Sequence, residues 1–232
     1  MDKQIVFVIG SGRSGTHLIG RIIGSHPEFD AYLEHERTFG LVTKIATQQV
    51  SRKKIDKLIS EYSKLFAKSK YEHIVEKSHP NIWLVEELVA AFPQARFVGI
   101  YRDVYSTVAS MLKHEGVSAW FDILPQNKTN PFLGINEVNR NDYDSFTIEQ
   151  KSTLRWKSHY DRLQQLKYSF PNNVLVVDYN ELLINQDKYL KELSLFLDID
   201  NSFEPETFNI ESLSKWKLQL SNEQIDFIDS VA

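Results

Sequence analysis

The residues GSGRSGTH, Gly10 to His17, follow the apolar run IVFVI and precede apolar residues at helical spacing. Glycines let a turn fold its backbone N–H groups around an anion. A helix starting near Thr16 would point the positive end of its dipole at the same anion. Gly10 and Gly15 have the spacing of the triphosphate pattern G-x4-G-K-[ST], but Thr16 and His17 fill its last two places. The lysine that reaches the β- and γ-phosphates is missing, and Arg13 offers a guanidinium fork inside the loop instead. The candidate anion cradle is therefore Ser11, Gly12, Arg13, Ser14, Gly15, Thr16 and His17.

A second constellation is RFVGIYRDVYSTVAS, in which Arg102 directly follows an apolar run and Ser110 comes eight positions later. A strand-end arginine can hold one phosphate, and a serine two helical turns on can reach another of its oxygens. Arg-Asp at a helix start is also a common cap and ion pair. Between the two constellations, VEKSHP places Lys77 at a strand end, where side chains face the cleft of an open α/β sheet. Two base candidates stand nearby. His79 titrates near neutral pH without much tuning, whereas Glu34, in YLEHER, needs desolvation to act as a base. Glu34 could instead pair with Arg37, and His79 could cap the next helix; His35 and Glu36 are the fallback bases.

The elements that must position these residues follow from periodicity. Continuous β-branched runs predict strands at Ile5–Ile9, His73–Glu76, Arg96–Tyr101 and Val174–Val177. Helical spacing predicts helices at Thr16–Ser25, Arg52–Lys68, Asn81–Phe92 (stopped by Pro93), Asp103–His114, Thr147–Phe170 and Tyr189–Leu197. Thr147 with Gln150 and Ser221 with Gln224 have capping-box spacing. Strands separated by helices predict a three-layer α/β/α fold with a mainly parallel sheet, in one domain spanning 1–232. Residues 116–146 lack clear periodicity and read as a long loop on the acceptor side, where Trp120, Phe121, Phe132 and Tyr143 either stack on a ligand or pack.

The chain carries 27 Lys and Arg against 31 Asp and Glu, so no global basic field argues for nucleic acid. Any anion must be held by locally placed cations. With no cysteine there are no disulfides, thiolate metal sites or cysteine nucleophiles, which fits a reducing compartment. The apolar run at Ile5–Ile9 is too short for a signal segment or a membrane span, so the expectation is a cytoplasmic protein.

IVFVIGSGRSGTHLIGRIIGSHPEF resembles the 5′-phosphosulfate loop of the sulfotransferase superfamily, with the early cation at Arg13 and His17 in place of a common Thr or Ser. RFVGIYRDVYSTVAS resembles the 3′-phosphate motif of the same family, about 90 residues further on. VEKSHP, DYNELL and SLSKWKLQLS are similar to three further family segments, the last of which closes over the nucleotide in many members. The resemblance implies a sulfotransferase that moves a sulfuryl group from 3′-phosphoadenosine 5′-phosphosulfate (PAPS) to a hydroxyl or amine by in-line transfer. It leaves 3′,5′-adenosine bisphosphate (PAP) as product and requires no metal. Arg102 and Ser110 would hold the 3′-phosphate, with Tyr179 and Lys215 near the nucleotide. Lys77 would be the cation on the leaving oxygen. Glu34, in the manner of the bacterial and tyrosylprotein-type branch, is favoured as base over His79. A small-molecule or carbohydrate acceptor is expected, with a peptide as a further option; there would be no nucleic acid and no membrane span, and the oligomeric state stays open.

Two rivals remain. VLVVD, ending at Asp178, resembles a magnesium-binding strand end of a P-loop kinase or NTPase. Alternatively the chain is a non-catalytic nucleotide-binding module.

Overall fold

A computed structural model describes residues 3–204, 206–207 and 210–231. Five strands form one sheet: β1 (Gln4–Gly10), β2 (Phe29–Leu33), β3 (His73–Lys77), β4 (Arg96–Tyr101) and β5 (Val174–Asp178). Their order is β2-β3-β1-β4-β5, and every pairing is parallel. A parallel sheet puts all its strand ends on one edge. Thus the loop after Gly10, Glu34, Lys77, Arg102 and Tyr179 all leave the same edge of the molecule. The β1–β4 boundary is where consecutive connections diverge to opposite sides, the crevice in which open α/β sheets bind ligands.

The helices are α1 (Thr16–Ser25), α2 (Glu36–Ala46), α3 (Ile55–Lys68), α4 (Val85–Ala91), α5 (Val104–Leu112), α6 (Glu115–Ile123), α7 (Ile148–Ser169), α8 (Tyr179–Ile184), α9 (Gln186–Leu197) and α10 (Asn222–Val231). They cover both sheet faces, as strand periodicity requires. Ile5, Phe7, Ile9 and Phe97 face α3 (Leu58, Tyr62, Leu65 and Phe66) and α7 (Leu163 and Leu166). Val6, Val8, Val98 and Ile100 face α1 (Leu18, Ile19, Ile22 and Ile23) and α9 (Leu190, Leu193 and Leu197). Each such buried side chain contributes about 1.5–3 kcal/mol of transfer free energy. Among the described residues no helix is long and apolar enough to cross a membrane.

The four predicted strands and the capped starts of α7 and α10 lie where the sequence places them. The expected helix over Asn81–Phe92 is a 3-10 turn at His79–Trp83 followed by the shorter α4. Residues 116–146 are not a plain loop. Most of α6 lies in them, and Val117, Phe121, Leu124, Phe132, Leu133, Ile135 and Tyr143 form a satellite core. Phe132 and Tyr143 are fully buried, so they pack rather than await a ligand. Exposed Ile123 beside buried Phe121 and Leu124 breaks the periodicity that would have revealed this helix.

Candidate active site

The loop after β1 is held open by its own chemistry. Ser14 is buried, and its hydroxyl donates to Ser11 O (2.6 Å) and Ile100 O (3.2 Å), which fastens the turn to β4. Its side chain is thus used by the fold, not turned toward a ligand. Gly15 caps α1 at φ 98° without a side-chain cap, and the first turn of α1 has no acidic residue. A Cβ at Gly15 would lie 2.3 Å from the Tyr179 ring. Glycine there is required both by the left-handed backbone and by the close approach of that ring. The result is a helix start whose backbone donors and positive dipole end lack a compensating carboxylate nearby in sequence.

Cations gather on the β4 side of this loop. The Arg102 guanidinium carbon lies 4.7 Å above the centre of the Tyr179 ring, and Arg102 Nε is buried without a hydrogen-bond partner. Its nearest carboxylate, Asp103, is 3.9 Å away and is also the N-cap of α5. Arg13, at φ 72°, donates from Nε to Ser110 Oγ at 3.1 Å. The two sequence constellations are therefore in direct contact, and the Arg13 side chain lies on the Ser110 side of the loop. A cleft of about 410 Å³ is lined by Arg13, Arg102, Ser110, Tyr179 and Lys215. Lys113 and Trp216, which the sequence reading did not single out, complete it. Trp216 is set in place by stacking on Tyr105 (centroids 4.5 Å apart, 18° between planes). Lys113 follows Ser110 by one helical turn, and that spacing on the α5 face was the available signal.

The ends of β2 and β3 bring together the other candidates. Lys77 pairs between Val8 and Leu33 in the sheet and is 1% exposed, and its ammonium donates to the Glu34 carboxylate. Glu34 is bound a second time through its backbone, since Glu34 N donates to Lys77 O at 2.8 Å. Its φ of 57° is uncommon for a residue with a side chain and is the kind of strain that clusters at working sites. His17 Nε2 lies 3.4 Å from Glu34 Oε1, and His79 Nδ1 lies 3.7 Å away. The alternative partner for Glu34, Arg37, is not among its ion pairs, which are with Lys77, His17 and His79. His17 belongs to this cluster through its side chain as well as to the loop through its backbone.

Burial alone would push Glu34 upward, but His79 and Lys77 facing it prevail and bring it down to about 2. Lys77 is lowered by burial, with Glu34 opposing that shift. His79 is lowered by burial, and by Lys77 and Arg155, to about 4. At neutral pH the cluster thus holds an ionised carboxylate and a neutral imidazole. On the opposite face of β3, burial raises Glu76 to about 8, and its carboxyl accepts from Ser78 and Asn81, with Asn81 also donating to Tyr62. Glu76 is buried in the core, away from the Glu34 cluster, with both carboxyl oxygens bonded to Ser78 and Asn81.

Asp178, the carboxylate a magnesium-using kinase would need, caps α8 by accepting from Asn180 N (2.8 Å) and Glu181 N (3.2 Å). Among the described residues no group of three or more His, Asp or Glu is placed to hold a metal.

A phosphate-cradling turn, a cationic cleft and a carboxylate–ammonium pair on one edge of a parallel sheet define a P-loop-like group transferase without the triphosphate lysine. A family model described as "Sulfotransferase family" matches residues 5–205, and the chain belongs to that family. The protein is accordingly an enzyme of sulfuryl transfer. Among solved structures, the sulfotransferase domain of the Synechococcus PCC 7002 olefin synthase is similar at TM-score 0.62 and 13% identity, over 99% of this chain and 95% of that one. A sulfotransferase from Alicyclobacillus acidocaldarius is similar at 0.59 and 12%, over 99% and 96%. Mouse sulfotransferase SULT7A1, solved in complex with PAP, is similar at 0.57 and 15%, over 98% and 82%. At these identities the structures speak for the fold. No curated protein matches the chain in sequence.

Proposed function

We propose that this enzyme takes its sulfuryl group from PAPS and delivers it to a hydroxyl, or an amine, of a small-molecule acceptor. The observation that carries this reading is the single cleft in which unpaired Arg102 Nε, Ser110, Arg13, Tyr179 and Lys215 meet. Two anionic ends of one nucleotide need two groups of donors. The uncapped start of α1 suits the 5′ end, and Arg102 with Ser110 suits the 3′-phosphate. Arg13, bonded to Ser110, lies between the two groups. When bound, PAPS supplies an activated sulfuryl group on a good leaving phosphate. Trp216 and Tyr179 offer aromatic faces beside these cations.

The remaining work falls to the cluster at the ends of β2 and β3. In-line transfer needs a base for the acceptor proton and a cation for charge developing on the departing oxygen. Lys77 is the cation and Glu34 the base. Their resting ion pair keeps the ammonium charged in a buried position and holds the carboxylate ionised. Movement of the ammonium toward the leaving oxygen would release the carboxylate to take the proton. His79 orients Glu34 and is the second candidate for the base.

Calorimetry with PAP tests the donor assignment. We expect binding in the micromolar range or tighter, unchanged by chelator. Absence of PAP binding, or binding that needs magnesium, would reject it. Because the base must be deprotonated, the pH profile of turnover tests the other half. Glu34 is ionised above about 2 and His79 is neutral above about 4, so activity should show no inflection between pH 6 and 7 from either base and should fall in acid. Glu34→Gln should lower kcat by about 10²-fold or more, and His79→Asn by less. A larger loss from the histidine variant would exchange their roles.

A further inference from the structure

Arg155, on α7, is 1% exposed, yet among the described residues no carboxylate lies within ion-pair range of it. Its Nε and Nη1 are buried and have no hydrogen-bond partner. The guanidinium carbon rests 4.5 Å above the centre of the Phe132 ring, in the satellite core built from residues 116–146. Burial lowers Arg155 to about 10, so it is still charged at neutral pH. An arginine buried without a counter-ion is strongly unfavourable to the fold unless something supplies the missing charge.

The position of Arg155 indicates where that charge comes from. A Cβ on Gly12, at the tip of the phosphate loop, would lie 3.7 Å from Arg155 Nη2 and 3.6 Å from His79 Nε2. At half-buried Gly12 the absent side chain leaves a gap with room for about one atom in contact with those two nitrogens. The other ring nitrogen of His79 faces Glu34. Arg155 therefore stands across His79 from the Lys77–Glu34 pair and does not line the nucleotide cleft. The 5′ end of the donor already has the start of α1 and Lys77. Arg155 Nη2, beside Gly12, lies outside that set.

Resting on the donor assignment above, we infer that Arg155 is the receptor for an oxyanion carried by the acceptor, so that the enzyme's substrate is a hydroxy compound with an acidic group, such as a carboxylate, near the hydroxyl that is sulfated. The planar fork matches a carboxylate with two parallel bonds. Seating that group beside Gly12 would bring the neighbouring hydroxyl to the His79–Glu34 side of the gap. An uncharged acceptor would leave the guanidinium buried and unpaired, which gives the site a means of rejecting neutral analogues.

The test uses acetate as the probe carboxylate and acetamide as its uncharged counterpart, titrated into protein already saturated with PAP and followed by calorimetry. Acetate should bind in the millimolar range and acetamide should not. Arg155→Met should weaken acetate at least tenfold while PAP affinity stays within about threefold. The methionine variant should fold with an unchanged or higher Tm, since it replaces an unpaired buried charge by an apolar side chain. Acetate should also raise the Tm of the wild-type complex and not that of Arg155→Met. Equal acetate binding by the two proteins, or none by the wild type, overturns the inference. Repeating the titration with PAPS in place of PAP identifies the source of the anion: acetate retained agrees with an acceptor site, and acetate excluded assigns Arg155 to the donor sulfuryl group and also overturns it. Loss of PAP binding by wild-type protein would instead reject the donor assignment, so the two failures are distinct.

Discussion

Replacing Lys77 by methionine is expected to lower turnover by about 10²–10³-fold while changing PAPS affinity by less than about threefold. The register that places Lys77 between Val8 and Leu33 points its ammonium at Glu34, the proposed base. Its charge matters most as the departing oxygen becomes negative, a charge that is not yet developed in the resting complex with PAPS. Methionine keeps the buried volume, so the variant reports on the charge and not on packing. It also removes the hydrogen bond and the positive charge that favour ionised Glu34. Burial then raises the carboxyl, and residual activity should acquire a dependence on pH above that of the wild type, rising as Glu34 ionises. A variant that loses PAP binding but keeps its turnover at saturation would move Lys77 out of this role.

Arg102→Ala should show the opposite pattern, weakening PAP by about 30–100-fold with a smaller effect on kcat. A buried, charge-assisted hydrogen bond to phosphate contributes about 1.5–3 kcal/mol, and alanine also removes the cation above the Tyr179 ring. Arg102 Nε has no hydrogen bond to lose, and its ion pair with Asp103 is long, at 3.9 Å. The variant therefore separates the ligand's contribution from the fold's more cleanly than most arginine deletions. The comparison with adenosine 5′-monophosphate, which lacks the 3′-phosphate, closes the cycle: wild type and Arg102→Ala should bind it alike. If both proteins bind PAP equally, the 3′-phosphate assignment fails.

The phosphate loop, Lys77, Arg102 and four strands were legible in the sequence because each depends on local signals: glycine spacing, β-branched runs, and a charged residue where a run stops. The meeting of Glu34, Lys77, His79 and His17 was not, because it is created by sheet order. β2 and β3 pair as neighbours although about 40 residues separate them in sequence. β2 itself was hidden because FDAYL is a half-exposed edge strand that carries an aspartate and lacks the continuous apolar run of a central one. Arg155 was hidden more thoroughly. On a 22-residue helix with charged residues all round, nothing local marks the one arginine that turns inward. The direction of Arg13 was also beyond the sequence, since its bond to Ser110 spans 97 residues.

The cleft proposed for the nucleotide takes one wall from Lys215 and Trp216. Lys215 and Trp216 lie in a 3-10 segment, Ile210–Leu218, held by the Tyr105 ring and followed by α10, whose Ile228 packs on Val104 and Val108. The sheet, the glycine turn after β1 and the Lys77–Glu34 pair all precede it in sequence. That wall is therefore held by side-chain packing on Tyr105 and α5 and not by strand pairing.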